Sequence, residues 1–283
     1  MTMGRYDKVR YRAVWISDVH LGTKACRIEP LLEFISSIEC ETLYLVGDII
    51  DLWSLRRRWY WPQSHNDFVR KVLKRASNGA QVVFIPGNHD ERFRDYEGLH
   101  FGGVEIKREA MHDLLDGRRM LILHGDDFDA VVKNHAVITA IGDWFYDLAL
   151  GLNRITNWVR RKLGRPYWSL AAFLKRKVKY ICEFVSNYEQ SLARYAREQG
   201  AQVVLTGHIH RPEIKQVDDI LYCNDGDWVE NCTALVEHLD GRLELLHVER
   251  ELTTVPAREE SLPEVPLKET ICVPSGQAET AAL

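Results

Sequence analysis

Long apolar runs are missing from this sequence. No stretch approaches the roughly eighteen uncharged apolar residues that a membrane span needs, so any contact with lipid is expected at the surface. The segment Met1 to Val14 is polar and basic and lacks the apolar centre of a secretory leader. Cysteine is sparse and unpatterned. Six residues with no Cys-x-x-Cys pair exclude a disulfide framework and favour a reducing compartment. Charge of one sign is also lacking: 37 Lys and Arg against 41 Asp and Glu give a net charge of -4, which argues against a general nucleic-acid binder. No internal repeat is visible. What remains is 283 residues, 46% hydrophobic and 28% charged, enough for one sizeable α/β domain or a domain with an insertion.

The first half alternates apolar runs with amphipathic ones. Tyr11 to Ile16, Thr42 to Val46, Gln81 to Ile85 and Arg119 to Leu123 read as strands, and Glu29 to Ile38 and Asp67 to Ser77 as helices. Helical character then fills residues 130–200. A strand returns at Gln202 to Leu205. Short strands follow around Ile214 and Leu221, at Thr233 to Leu239 and at Leu243 to Val248, and their close spacing predicts a hairpin-rich second sheet. The expected organisation is a core of residues 1–129 and 201–252, a helical cap over 130–200, and a disordered tail over 253–283, which is rich in Pro, Glu, Thr and Ala. Strand and helix alternation places the core in the α/β class.

Polar groups recur just past the carboxyl ends of the apolar strands: Asp18 and His20, Asp48, Asn88, His124, then His208 and His210. Open α/β sheets bind ligands at those ends. Hard oxygens mixed with imidazole suit Mn, Fe, Zn or Mg better than a thiolate site would. If the chain is still extended at Asp18 and His20, both side chains point the same way, and the same holds for His208 and His210. Asp48 stands alone and is the natural carboxylate to bridge two ions, an arrangement that makes a nucleophile of water at neutral pH. Each residue alone has a bland reading. A lone loop histidine is more often structural, and a lone Gly-Asp or Gly-Asn is usually a turn. The order and strand-end context of five motifs together argue for a metal centre.

Asp18-Val19-His20, Gly47-Asp48-Ile49-Ile50-Asp51, Gly87-Asn88-His89-Asp90, His124-Gly125-Asp126 and Gly207-His208-Ile209-His210 resemble the five motifs of the calcineurin-like metallophosphoesterase superfamily. The resemblance spans Tyr11 to Val248. It implies a two-sheet βαββ sandwich flanked by helices, here with a helical cap insertion. It implies two divalent ions, Mn2+ first among the candidates, with Fe, Zn and Mg open. Asp18, His20, Asp48 and His210 would hold one ion, and Asp48, Asn88, His124 and His208 the other. His89 matches the histidine that contacts substrate phosphate and is placed to protonate the leaving group, a role suited to an imidazole beside two cations. Asp51 has two open readings: an acceptor for the other His89 N–H, or the N-cap of a following helix.

A narrower resemblance covers most of the chain. The Asp18-to-His20 opening, the Gly-Asp-Ile-Ile-Asp-Leu-Trp run of Gly47 to Trp53, His124-Gly125-Asp126 before a long helical insertion, and Gly226-Asp227-Trp228 are similar to the UDP-2,3-diacylglucosamine pyrophosphatase group. That implies cleavage of the pyrophosphate of a UDP-sugar lipid to UMP and a diacylated sugar phosphate, in lipid A synthesis. The best-known members carry Arg directly after the Gly-Asn of the third motif. Here it is His89, as in generic superfamily members, so the chain resembles a divergent branch. Expected substrate contacts are Asn88, His89, Asp126, Arg57, Arg58, Trp168 and Lys175. Other specificities remain open: phosphodiesterase, nuclease or phosphatase. A non-catalytic scaffold is disfavoured, because no ligand position is lost.

From Gly151 to Tyr180 every charged residue is basic, and Trp158, Trp168 and Phe173 lie among them. Basic residues interleaved with aromatics fit an anionic membrane surface. A packed cap with a basic outer face is the plainer reading. No nucleic-acid partner is expected, since net charge is negative and no binding module is visible. Trp53 to Trp61, with Arg56, Arg57 and Arg58, forms a second basic-aromatic patch, which otherwise reads as an exposed loop. The expected location is the cytoplasm, peripherally on the cytoplasmic face of the inner membrane. No sequence feature fixes an oligomeric state.

Overall fold

The protein is described here by a computed structural model, which covers residues 8–131, 185 and 187–248. The strands are Val9–Ile16 (β1), Ile38–Val46 (β2), Gln81–Ile85 (β3), His100–Phe101 (β4), Val104–Ile106 (β5), Ala110–Asp113 (β6), Arg119–Ile122 (β7), Val203–Thr206 (β8), Glu213–Val217 (β9), Ile220–Asn224 (β10), Thr233–His238 (β11) and Leu243–His247 (β12). The helices are Ile28–Ser37 (α1), Leu52–Arg57 (α2), Gln63–Ser77 (α3) and residues 187–198 (α4).

Two mixed sheets lie face to face. The larger has the order β12-β11-β1-β2-β3-β5-β4, and the smaller β6-β7-β8-β10-β9. Each sheet has helices on its outer face, so the central strands are apolar on both sides rather than alternating. In β1 the run Ala13, Val14, Trp15 and Ile16 is wholly buried. One core lies between the larger sheet and α1 and α3. Ile28, Leu31, Phe34 and Ile35 supply the buried stripe of α1, at helical spacing. A second core, including Trp15, Tyr44, Val46 and Leu205, lies between the sheets. A third packs Tyr188, Leu192 and Ala196 of α4 against Leu121, Val204 and Tyr222. The segment read as a cap therefore supplies, in its last helix, one outer layer of the fold.

The strands after residue 202 do not form one sheet. β9 and β10 pair in the smaller sheet, but β11 crosses to the larger one and pairs antiparallel with β1, Trp15 opposite Leu235. Both hairpins read alike locally; only the partner strand separates them. β4, β5 and β6 were not foreseen, each being too short to show a period, whereas the short α2 follows the N-cap reading of Asp51. β1, β2 and β3 run parallel, and so do β7, β8 and β10. Parallel pairing puts the carboxyl ends of the motif-bearing strands at one edge of the sandwich.

A buried polar clamp joins the layers away from that edge. The Glu237 carboxylate is fully buried and accepts two bonds from Arg12 Nη1, at 2.9 and 2.7 Å, and one from the Leu115 N–H at 2.9 Å. His112 Nε2 lies 2.9 Å from it, and His112 Nδ1 lies 3.1 Å from the Tyr44 hydroxyl. Burial alone would raise the Glu237 carboxyl, but His112, the Leu115 amide and Arg12 hold it below its ordinary value.

Candidate metal centre

Asp18 and His20 follow β1, Asp48 and Asp51 follow β2, Asn88 and His89 follow β3, His124 follows β7, and His208 and His210 follow β8. They gather into groups whose ligand atoms lie within 4.8 Å of one another: Asp18, His20 and His210; Asp48, His124 and His208; and His20, Asp51 and His89. The first two are each three of the four residues in the ligand sets that the motifs imply; the first lacks Asp48 and the second lacks Asn88.

The backbone that achieves this is not extended. Asp18, His20, Asp48, His208 and His210 all have φ between 49° and 66°, in the left-handed region. Side chains two apart in an extended segment would lie parallel. Here each residue turns the chain instead, and the side chains converge by curling inward. Such non-glycine conformations cost about 1–3 kcal/mol each and persist only where surrounding contacts over-determine them. The contacts are visible. The Asp18 and His20 N–H groups donate to the carbonyls of Gly47 and Asp48, at 3.0 and 2.9 Å, and Trp228 N–H donates to Asp18 O at 3.0 Å. The Asp90 carboxylate, fully buried, accepts from the N–H groups of Gly87, Asp48, Ile49 and Ile50 at 2.6 to 3.3 Å. It staples the second motif loop to the third. Burial and nearby Asp48 push it up to about 6, although these amides favour its charged form. Asp227 does similar work beside His210, accepting from Val229 and Glu230 N–H at 2.8 and 2.6 Å.

Each central carboxylate commits one oxygen to the protein and turns the other inward. Asp18 Oδ2 accepts the His208 N–H at 2.9 Å, and its Oδ1 lies 3.1 Å from His210 Nε2. Asp48 Oδ1 accepts the His89 N–H at 2.8 Å. Its Oδ2 faces Nε2 of His124 at 3.5 Å and Nε2 of His20 and His89 at 3.9 Å. His124 Nδ1 donates to Val46 O at 3.0 Å, which fixes the tautomer and leaves Nε2 to the cluster. His124 Nε2, His20 Nε2 and Asn88 Oδ1 are buried without a hydrogen-bond partner. Buried polar atoms left unsatisfied are costly. Several of them, of the right chemistry and converging on one place, fit divalent cations bound by N and O ligands.

Two adjacent glycines permit the approach. A Cβ on Gly87 would stand 2.4 Å from Asp48 Oδ1, and one on Gly207 would stand 2.3 Å from Asp18 Oδ2. The charges sustain one another. Burial opposes ionisation of Asp18, yet His210, His124 and His20 hold its carboxyl well below the usual range. Burial likewise opposes a charged His210, yet Asp18, Asp227 and Asp48 push it up to about 9.

Asp51 caps the helix that follows it and stands within ion-pair distance of His89. Its Oδ1 accepts the Ser54 N–H at 2.6 Å, capping α2, while its Oδ2 lies 3.1 Å from His89 Nδ1 and 3.3 Å from His20 Nδ1. The Trp53 ring lies over His89, centroids 4.2 Å apart and planes 34° apart. The remaining expected substrate contacts are more scattered. Asp126 gives its carboxylate to Arg94, at 2.7 and 2.9 Å. Arg57 and Arg58, at the end of α2, are exposed. Trp168 and Lys175 lie outside the described residues. The sequence reading missed the structural work of Asp90, Asp227 and Arg94. Asp90 and Asp227 lie inside quoted motifs and Arg94 four residues past one, but a side chain that ties loops together leaves no periodic signal.

The profile of the calcineurin-like phosphoesterase family matches residues 11–212. Among curated relatives, the UDP-2,3-diacylglucosamine hydrolase of Aliivibrio fischeri is 26% identical over 239 residues, covering 78% of this chain and 92% of that protein. The protein of the same name from Neisseria meningitidis serogroup B is 25% identical over 246 residues, covering 81% and 94%. That from Porphyromonas gingivalis is 28% identical over 133 residues, and the match spans half of its length.

Proposed function

The chain belongs to the calcineurin-like phosphoesterase family and is a phosphoesterase; on that premise we propose that it binds two divalent ions, Mn2+ foremost, and hydrolyses the pyrophosphate of a UDP-diacylglucosamine-type lipid. The products are UMP and a lipid sugar phosphate. The observation that carries the metal-dependent hydrolysis is the inward convergence of Asp18 Oδ1, Asp48 Oδ2 and the Nε2 atoms of His20, His124 and His210. Asp18, His20, Asp48 and His210 hold one ion. Asp48, Asn88, His124 and His208 hold the other. Bound there, the pair supplies Lewis-acid activation of water and of the phosphate oxygens.

The chain's own residues do the rest. Asp48 commits one oxygen to the His89 amide, so its second oxygen is oriented before any ligand arrives. Asp51 and Trp53 fix the plane of the His89 ring, which turns Nε2 toward the cluster. From there His89 contacts the phosphate and donates a proton to the leaving oxygen. Asn88 serves both metal and phosphate.

Support for the lipid comes from the hydrolase relatives and from the surface beside the site. Arg56, Arg57 and Arg58 are exposed and form no ion pair among the described residues, and Trp59 is 74% exposed. Three unpaired arginines beside an exposed indole suit an anionic lipid face. No described helix is long and apolar enough to cross a membrane. On the proposed lipid substrate we place the protein peripherally, at the cytoplasmic face of the inner membrane. His89 standing where the best-known lipid hydrolases carry Arg favours a second reading, a phosphodiesterase of other specificity.

A comparison of UDP-2,3-diacylglucosamine, UDP-N-acetylglucosamine and bis-p-nitrophenyl phosphate at equal enzyme tests the proposal. UMP release from the diacylated substrate, well above that from UDP-N-acetylglucosamine, which lacks the long acyl chains, is expected. Cleavage of bis-p-nitrophenyl phosphate alone would leave the metal chemistry standing and overturn the lipid assignment.

A further inference from the structure

We propose that Arg94 is a positioning residue for one of the two metal sites: its guanidinium locks the loop that carries Asn88 to the loop that carries His124. The inference rests on the metal assignment given above. It concerns only the site built from Asp48, Asn88, His124 and His208.

Those two loops come from different sheets. Asn88 follows β3 in the larger sheet, and His124 follows β7 in the smaller. Among the described residues no backbone hydrogen bond joins 86–90 to 123–127. Arg94 spans the gap. It lies in a 3₁₀ segment, Glu91–Tyr96, just past the third motif. Its Nε and Nη2 donate to the carbonyl of Pro86, at 3.2 and 3.0 Å, two residues before Asn88. The same Nη2 lies 2.7 and 2.9 Å from the two oxygens of Asp126, two residues after His124. The side chains are largely enclosed, 17% exposed for Arg94 and 11% for Asp126. An ion held by Asn88 and His124 needs their ligand atoms at a fixed separation, and this clamp sets it.

The chemistry singles out arginine. A planar fork serves a carbonyl and a carboxylate at once in a rigid geometry, whereas a lysine ammonium is a point charge on a flexible stem. The other site depends on the loops after β1, β2 and β8, and among the described residues Arg94 makes no hydrogen bond or ion pair to any of them. Its loss should therefore act on one ion and spare the other. A residue that only stiffened the fold would not discriminate.

The test is a Mn2+ titration of the full-length apo protein by calorimetry, with electron paramagnetic resonance of the same samples. Wild type is compared with Arg94→Gln, Arg94→Lys and Asp126→Asn, and circular dichroism identifies folded variants. In Arg94→Gln one ion should bind as in wild type and the other about 10–100-fold more weakly, the usual effect of losing an orienting partner. The exchange-coupled signal of paired Mn2+ should give way to the signal of isolated ions at the same loading. Arg94→Lys should not restore it, and Asp126→Asn should reproduce the selective loss in milder form. If Arg94→Gln does not fold, the other two variants decide. Unchanged affinity for both ions in the folded variants overturns the proposal, as does equal weakening of both. A wild-type protein that takes up only one ion overturns the two-metal assignment instead, which separates the two failures.

Discussion

Oδ2 of Asp51 stands 3.1 Å from Nδ1 of His89, while the other oxygen of the same carboxylate caps α2 through the Ser54 N–H. One side chain thus ties the start of a helix to the imidazole that faces the site. Removing it altogether and removing only its charge should differ. Asp51→Ala should cost about 1 kcal/mol of stability through the lost cap and should also lower kcat. Asp51→Asn keeps an oxygen for the cap and should unfold near the wild-type temperature while still losing turnover. Equal Tm losses in both variants would count against the double role.

His89→Ala should retain metal and lose catalysis. Its side chain lies beyond the hydrogen bond by which its own amide orients Asp48, so the carboxylate stays in place. Loss of a general acid is worth about 10²–10⁴-fold in kcat. Metal analysis alongside turnover checks this; metal lost together with activity would make His89 a ligand.

Asp48→Ala should be more severe, because it removes a ligand from both proposed ions. Little or no metal should remain after desalting, and excess EDTA should silence the wild-type enzyme in the same way. Restoration of wild-type activity by added Mn2+ should follow chelation but not the substitution.

Gly207→Ala should disable the site without altering any ligand. The new methyl would stand 2.3 Å from Asp18 Oδ2 and 2.5 Å from Ser17 Oγ, both buried. Overpacking of this kind costs about 1–3 kcal/mol. The shift of Asp18 should appear as weakened metal binding at 25 °C in a protein whose circular dichroism is normal.

The Glu237 clamp predicts an acid limb of stability. Its carboxyl is held below the ordinary value in the folded state. The stabilisation is therefore fully present above about pH 4.3, the ordinary glutamate value. It is lost as the pH falls through the lower folded value. Glu237→Gln should destabilise the protein at pH 7 by about 3 kcal/mol, since it leaves partners of a buried charge unpaired. It should also flatten the dependence of denaturant midpoints on pH below 5 or so. An unchanged slope would show that another group carries the acid limb.

The sequence by itself determined the strand ends and what stands on them. Apolar runs such as Gln81 to Ile85 stop at a change of residue type that is written in the chain, and the polar residue that follows is fixed by chain order; that is why Asp48, Asn88 and His208 were legible as one set. The amphipathic stripe of α1 was equally readable, because a period of 3.6 residues is a local property. Tertiary structure decided the rest. Whether β11 joined β9 and β10 or crossed to β1 depended on contacts more than two hundred residues apart, such as Trp15 with Leu235. The left-handed turns at Asp18, His20, Asp48, His208 and His210 were invisible, since no local preference selects a strained conformation. They exist because Gly47, Trp228 and the buried carboxylate of Asp90 hold the loops from outside. Residue types set which atoms are available to a metal; packing between two sheets set where those atoms point.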